Sequence, residues 1–552
     1  MMRKNIFYFA SIAAISFYSC SNTVKKKEAG LTVFRYNEMS GITSLDPAAA
    51  RNFENIEADN QLYNGLVQMD DSLHVKPCIA KSWEIDENGT EYIFHLRNDV
   101  YFQDDSIFPK GIGRKVVASD FVHSFFRLYD PAISSATTLL SNIDRGERSD
   151  YKGFEAPNDS TFIIYLKQAF APFLGILTMK YFSVIPIEAI EHYGEDFRSH
   201  PVGTGPFKFK VWDEGSKLIL VKNNHYFEFQ GKQRLPYLDA VSISFIKDKE
   251  TAFMEFLQDK LDMISGVDAI DKEQVFERTG KLKDVFKNKF YMQSQPFLKT
   301  DYLGILIDPK FDKVKNSPLR IREIRQAINY GFDRVKMVKY LRWNLGTPAT
   351  AGFIPPGLPS FNADIVKGYN YDPEKAKQLL LLAGFPDGKG LPEITLHTTS
   401  QYEDICGFIQ SQLAGVGIKI KIVVDKAIIL SEAVASSQFT FFRKSWVADY
   451  PDAEDFLSVF YSANFSPAGF NYTHYSNPRF DALYEKSRTE ENDSLRYVDY
   501  REMDQLLIDD APIVPLYYDQ VVRLVQNDIS DFTANPMNLL DLKTVKKSEK
   551  GE

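Results

Sequence analysis

Phe439-Thr440-Phe441-Phe442-Arg443-Lys444-Ser445-Trp446-Val447-Ala448-Asp449-Tyr450-Pro451-Asp452-Ala453-Glu454-Asp455 is the stretch from which the fold is read. The apolar run Phe439 to Phe442 has the composition of the end of a buried strand, which sets Arg443 and Asp449 near a strand terminus. Ligands of α/β proteins collect at strand ends. A cation and a carboxylate six residues apart, with a tryptophan between them, have the chemistry to clamp a zwitterion such as a free peptide. Asp449 then takes an ammonium, Arg443 a carboxylate, and Trp446 walls the cavity. The edge at Ser445 and Val447 offers main-chain groups to an extended ligand. The same residues also read as an acidic loop after a strand, with Arg443 in a surface ion pair and Trp446 in a core.

Outward from this stretch, 552 residues exceed what one hydrophobic core serves, so more than one unit is expected. A 44% hydrophobic and 25% charged composition is that of a globular chain. The net charge of −9 argues against a nucleic-acid partner, because phosphate binding needs a basic surface. Cysteine and histidine spacings match no metal motif, and His192 and His200 flank a polar, loop-like segment. No cofactor, metal or catalytic residue is assigned.

At the N-terminus, Arg3-Lys4 precedes an apolar segment from Ile6 to Tyr18 that ends at Ser19-Cys20, the layout of a secretory signal. The segment is too short to span a bilayer. Ser21 to Gly30 is polar, contains Lys25-Lys26-Lys27 and reads as a tether. Cys78 and Cys406 remain, and their separation leaves open whether they pair.

Along the chain, Thr32 to Tyr36 predicts a strand. Asn88-Gly89, between Ile79 to Ile85 and Thr90 to Phe102, predicts a hairpin. Val116 to Tyr129 predicts a helix with Ser119 or Asp120 as N-cap. Thr161 to Leu166, Leu218 to Val221 and Val241 to Phe245 read as strands. Gly203-Thr204-Gly205-Pro206-Phe207 lacks the Gly-Lys-Ser/Thr of a phosphate loop and the third glycine of a dinucleotide fingerprint. Leu303 to Asp308 reads as the opening of a new unit. Ser317-Pro318 then predicts a helix Leu319 to Tyr330, and Asp372-Pro373 and Gly384 bracket another. Strands Ile394 to Thr398 and Ile418 to Val424 flank a helix Tyr402 to Leu413. Asn477-Pro478 and Ser494 begin further helices, and Val521 to Val525 is the terminal strand. Strands alternating with helices predict an α/β protein.

Trp446-x-Ala448-Asp449-Tyr450 with the acids and Phe456-Leu457 after it resembles the ligand-site segment of the oligopeptide- and dipeptide-binding proteins that serve ABC importers. In that family the Asp of the segment meets the peptide α-ammonium. Arg443 matches an arginine that meets the peptide carboxylate in the oligopeptide branch. Further motifs in the same order are Ser44-Leu45-Asp46-Pro47, Leu62 to Leu66, Ser82-Trp83-Glu84 with His95-Leu96-Arg97, Gly203-x-Gly205-Pro206-Phe207 and Arg325-Gln326-Ala327. Together they cover about residues 31 to 530. Phe17-Tyr18-Ser19-Cys20 is similar to a bacterial lipobox, with Phe17 where leucine is preferred.

The resemblance implies a two-lobed periplasmic-binding-protein fold of α/β class, with an extra subdomain inserted in the first lobe and two crossovers. The implied division is signal peptide 1–19, lipidated tether 20–30, lobe I 31–67, inserted subdomain 68–197, lobe I again 198–296, lobe II 297–516 and a return to lobe I over 517–545. The crossovers are placed near Gln295-Pro296 and Pro515-Leu516. The implied function is not enzymatic: a monomer, anchored by lipid on Cys20 to the periplasmic side of a bacterial membrane, captures a peptide and delivers it to ABC importer permease subunits. Two other readings stay open. One is the same fold binding a nickel chelate, oligosaccharide or opine. The other is a secreted hydrolase pairing Asp449 with Asp452, Glu454 or Asp455, for which no nucleophile elbow is visible.

Overall fold

The computed structural model describes residues 30–134, 136–146, 153–266 and 272–548. The signal, the lipobox and most of the tether lie outside the described residues. Among those described, no helix is long and apolar enough to cross a membrane.

Two large sheets organise the chain. The first orders strands Val33–Asn37, Ala240–Ser244, Lys217–Lys222 and Phe207–Asp213, with the first pair parallel and the others antiparallel. Beside it stands a four-stranded antiparallel sheet of Ala80–Ile85, Glu91–Leu96, Thr161–Tyr165 and Phe154–Asn158. Its first two strands are the expected hairpin, where Gly89 takes φ 66°, a left-handed value that glycine adopts without strain. The second large sheet runs Met263–Ser265, Ile513–Gln526, Phe290–Ile305, Phe441–Val447, Ile394–Thr398 and Ile420–Val424, with Thr347–Pro348 alongside Ile513–Gln526. It is mixed, because Ile394–Thr398 is parallel to both of its neighbours while the long strands are antiparallel.

Several local expectations are corrected. The strand expected to end at Phe442 begins at Phe441 and continues through the charged residues to Val447, so Arg443 is mid-strand and Asp449 lies just beyond the end. Hydrogen bonds to Phe290–Ile305 hold these half-polar residues extended whatever their own propensity. Leu303 lies near the end of the 16-residue strand Phe290–Ile305 instead of starting a strand. The terminal strand is likewise longer, Ile513–Gln526, and both positions placed as crossovers fall inside these two paired strands. Pro515 is tolerated there because the register slips beside it, between Asp301 and Tyr302, where a ladder donor is not required.

Two helix readings change as well. The first helix is Ala118–Phe126, followed by a 3₁₀ turn Arg127–Tyr129. Asp120 is not its N-cap but its third residue, accepting from the Val117 N–H at 2.9 Å and gripped by Arg114. The helix expected from Leu319 is split into a 3₁₀ turn Pro318–Arg320 and a helix Arg322–Tyr330, because Ile321 between them is extended. Asp372 and Asn477 cap as expected, accepting from the N–H of Lys375 and from those of Arg479 and Phe480.

The glycines of Gly203-x-Gly205 serve packing. A Cβ on either would run into the main chain of Leu62 at the end of helix Phe53–Leu62, with the Tyr63 ring also in the way at Gly203 and the Gln61 carbonyl at Gly205, and the Gly205 N–H donates to the Leu62 carbonyl at 2.8 Å.

The cores interlock where the two halves meet. One gathers Phe34, Phe94, Phe162, Leu220 and Ile243 around the first sheet and its neighbour. Another gathers Leu303, Ile324, Leu380, Leu396 and Phe441 around the second sheet. A third, with Tyr302, Phe353, Phe456 and Tyr500, takes in Leu73 from the first half, while Tyr450 is buried in the first core. Each such side chain contributes about 2 kcal/mol by burial, so the halves are held in contact beside Asp449. Cys78 and Cys406 are both free and buried, in different cores.

Candidate functional site

Strand Phe441–Val447 pairs antiparallel with Phe290–Ile305, placing Lys299 opposite Val447, Asp301 opposite Ser445 and Leu303 opposite Arg443. The Ala448 N–H donates to Leu298 O at 2.9 Å, and the Leu306 N–H to Thr440 O at 3.0 Å. Bonding groups alternate along an antiparallel ladder. The even-numbered residues therefore bond to Phe290–Ile305, and the N–H and C=O of Arg443, Ser445 and Val447 turn to the opposite edge. On that edge Ile394–Thr398 pairs only through His397 to Phe442, a bridge made by the main chain of Phe441 and Arg443, so among the described strands none covers Ser445 and Val447. This is a free strand edge of the kind an extended chain can join.

Asp449 follows that edge. Its carboxylate makes no hydrogen bond or ion pair with the described residues. It opens into a cavity of about 110 Å³ between the halves, with Phe53, Ile56, Met69, Met537 and Leu539 as apolar walls and Arg51 and Lys180 as cations. By surface area the residue is exposed, because the cavity admits water. Protein nevertheless surrounds the carboxyl, and this burial pushes it up to about 6.

The acids after Asp449 have structural roles. The Asp455 carboxylate accepts from Trp446 Nε1 at 2.9 Å and from the Asp449 N–H at 3.1 Å, so it fixes both the indole and the turn. Burial, then the charge of Asp449, pushes Asp455 well above the usual carboxylate range. Asp452 caps helix Ala453–Leu457 and accepts from the Tyr500 hydroxyl at 2.7 Å. Glu454 accepts from the Tyr450 and Tyr484 hydroxyls. None of the three lines the cavity with Asp449.

Trp446 is half-buried, packed on the third core and 5.6 Å from the Phe470 ring. Arg443 pairs with fully buried Asp301, and its guanidinium lies 3.1 Å from the centre of the Tyr402 ring. Asp301 belongs to a network that sequence reading missed. Lys299 Nζ stands 3.3 Å from Asp301 and 2.7 Å from Asp519, and Arg342 stands 2.7 Å from Asp519. Burial works against the Asp519 carboxylate, but Lys299 and Arg342 outweigh it and hold it below its ordinary value. Three cations, Lys299, Arg342 and Arg443, thus gather around two carboxylates, Asp301 and Asp519. Lys299, Arg342 and Asp519 line a second cleft of about 490 Å³. The alternation of Lys299 and Asp301 in one strand was a signal that both share a face; nothing in the sequence pointed to Tyr402 or Lys180.

Residues 74–467 match the family model described as bacterial extracellular solute-binding proteins, family 5 Middle. Glutathione-binding protein GsiB of Salmonella choleraesuis is 27% identical over 520 residues, covering 90% of this chain and 91% of that protein. Among solved structures, the periplasmic binding protein DppA of Helicobacter pylori in complex with the peptide STSA is 25% identical with a TM-score of 0.74. The match spans 95% of this chain and all of that one. HbpA2 of Haemophilus parasuis has the same fold, with a TM-score of 0.78 at 21% identity over 94% of this chain and 100% of that one.

Proposed function

Because the chain belongs to family 5 of the bacterial extracellular solute-binding proteins, the substrate-binding components of ABC importers, we propose that it captures a peptide between its two lobes and delivers it to a peptide importer. The observation that carries this reading is the Asp449 carboxylate, which has no partner among the described residues and stands at the end of a free strand edge. An extended peptide that adds its main chain to Ser445 and Val447 brings its α-ammonium to Asp449. Its carboxylate is received at Arg443, beside Lys299 and Arg342. Trp446, held by Asp455, does not line the Asp449 cavity but fixes the turn that carries Asp449. Closure of the lobes buries the pair and excludes water, and no bond of the ligand is broken. Glutathione, for which the GsiB relatives are named, falls in the same class of short peptide. The protein acts as a monomer on the periplasmic side of the membrane, tethered by lipid on Cys20, and its partners are permease subunits.

Calorimetry on a short peptide, free and N-acetylated, tests the ammonium site. Leaving one member of a buried charge pair alone costs about 3–5 kcal/mol. Asp449→Asn should therefore weaken the free peptide by about a hundredfold or more. Acetylation should abolish binding to the wild type and add little further loss in the variant, since both remove the same pair. Equal affinity of wild type for the free and acetylated peptides would remove Asp449 from the site.

A further inference from the structure

The hairpin of strands Val67–Met69 and Val75–Pro77 turns through Asp70-Asp71-Ser72-Leu73-His74. Its own hydrogen bonds fix the turn. The Asp70 N–H donates to His74 O at 3.0 Å and the Leu73 N–H to Asp70 O at 2.9 Å. The Asp70 carboxylate accepts from the Ser72 and His74 N–H groups at 3.0 and 2.9 Å. Leu73 is thereby held at φ 67°, a left-handed position that turns ordinarily give to glycine, asparagine or aspartate. A leucine there strains the backbone, because its Cβ crowds the following carbonyl. Although it stands at a hairpin tip, Leu73 is only 9% exposed. Its side chain enters the third core, where Leu358, Ala453 and Tyr497 come from the second half. The halves also meet where the Ala171 N–H donates to Arg488 O at 2.8 Å and the Arg488 guanidinium stands 4.7 Å from the Phe170 ring.

This seam lies beside the ligand cavity and outside it. Leu73, Leu358 and Pro451 line a separate cavity of about 230 Å³, and none of them lines the cavity of Asp449. The two places are nevertheless joined through both halves. Met69, in the first strand of the hairpin, is a wall of the Asp449 cavity, and Pro451 follows Asp449 in the same turn. We propose that Leu73 is a positioning residue for ligand capture: it touches no ligand, and by seating in the second half it holds the two walls of the Asp449 cavity together. Parting the halves returns an apolar side chain to water, so its burial favours the closed arrangement alone. A larger closed share raises the apparent affinity whatever side chains the ligand carries. The seat forms once the halves have closed over a peptide, so it acts on dissociation and leaves association nearly unchanged.

The test measures stopped-flow kinetics with trialanine and pentaalanine, and solution scattering without peptide. Wild type is compared with Leu73→Gly, Leu73→Ala and Leu73→Met, each checked for folding by circular dichroism. Both peptides should leave Leu73→Gly and Leu73→Ala about tenfold faster than they leave the wild type, while Leu73→Met stays near it. Without peptide, Leu73→Gly should have the larger radius of gyration. An unchanged dissociation rate or an equal radius overturns the proposal. A loss confined to one of the two peptides would make Leu73 a ligand contact and also overturn it. A loss in Leu73→Gly with none in Leu73→Ala would assign the effect to the backbone, with the same result. The kinetic arm rests on the peptide reading and the scattering arm does not. If peptides bind and neither arm moves, only the role of Leu73 fails. If no peptide binds, the peptide reading fails and the radii alone decide for Leu73.

Discussion

Lowering the pH should release the ligand from this protein well before it unfolds. The perturbation is a shift from pH 7 to pH 5. In the free protein, burial holds the Asp449 carboxyl at about 6, while only its ionised form can pair with an ammonium. Binding therefore competes with a proton. The apparent dissociation constant rises by about 1 + 10^(6 − pH), a factor of about 1.1 at pH 7 and about 11 at pH 5. The loss is about tenfold, or roughly 1.4 kcal/mol. The sign follows from the raised value: the carboxylate is present above about pH 6 and disappears below it. Asp455 does not reverse this, because burial and the charge of Asp449 push it up in the same direction. No histidine lines the cavity. Calorimetry of one peptide at several pH values, repeated in buffers of different ionisation enthalpy, reads both the slope and the proton uptake. Asp449→Asn should bind weakly and without the slope. Wild-type affinity that is flat between pH 7 and pH 5, or a slope that persists in Asp449→Asn, would refute the reasoning.

Other expectations concern stability and export. Asp504 is buried, accepts from the Phe353 N–H at 2.6 Å and is pushed up by burial to about 7. A raised carboxyl stabilises below its unfolded value and loses that contribution as pH rises through the folded one, here about 2–3 kcal/mol between pH 5 and pH 8. Denaturant titrations of Asp504→Asn should lack that component of the slope. Gly205→Ala, which drives a Cβ into the Leu62 main chain, should cost about 2 kcal/mol or more, and an unchanged melting temperature would contradict the packing described. Labelling with a fatty-acid analogue should mark the wild type and fail on Cys20→Ser; equal labelling of both removes the lipid anchor.

Much of the fold and part of the site are legible without coordinates. Asp372-Pro373, Asn477-Pro478 and Asn88-Gly89 act through the local backbone, by capping, a fixed φ or a permitted left-handed turn, so their neighbours alone settle what they do. The order of Trp446, Ala448 and Asp449 identified the candidate segment for a similar reason: the spacing is covalent. What tertiary structure decided is everything that depends on a distant partner. Strand Phe441–Val447 runs through three polar or charged residues because Phe290–Ile305 supplies its hydrogen bonds, and Pro515 stays in a strand because the register slips beside it. Arg443 is met by Asp301, 142 positions away, and Asp449 lines a cavity whose other walls, Phe53 and Ile56 among them, come to it only once the two halves pack. Charge pairing and cavity walls depend on separations through space, which pairing register and core packing set and residue order does not.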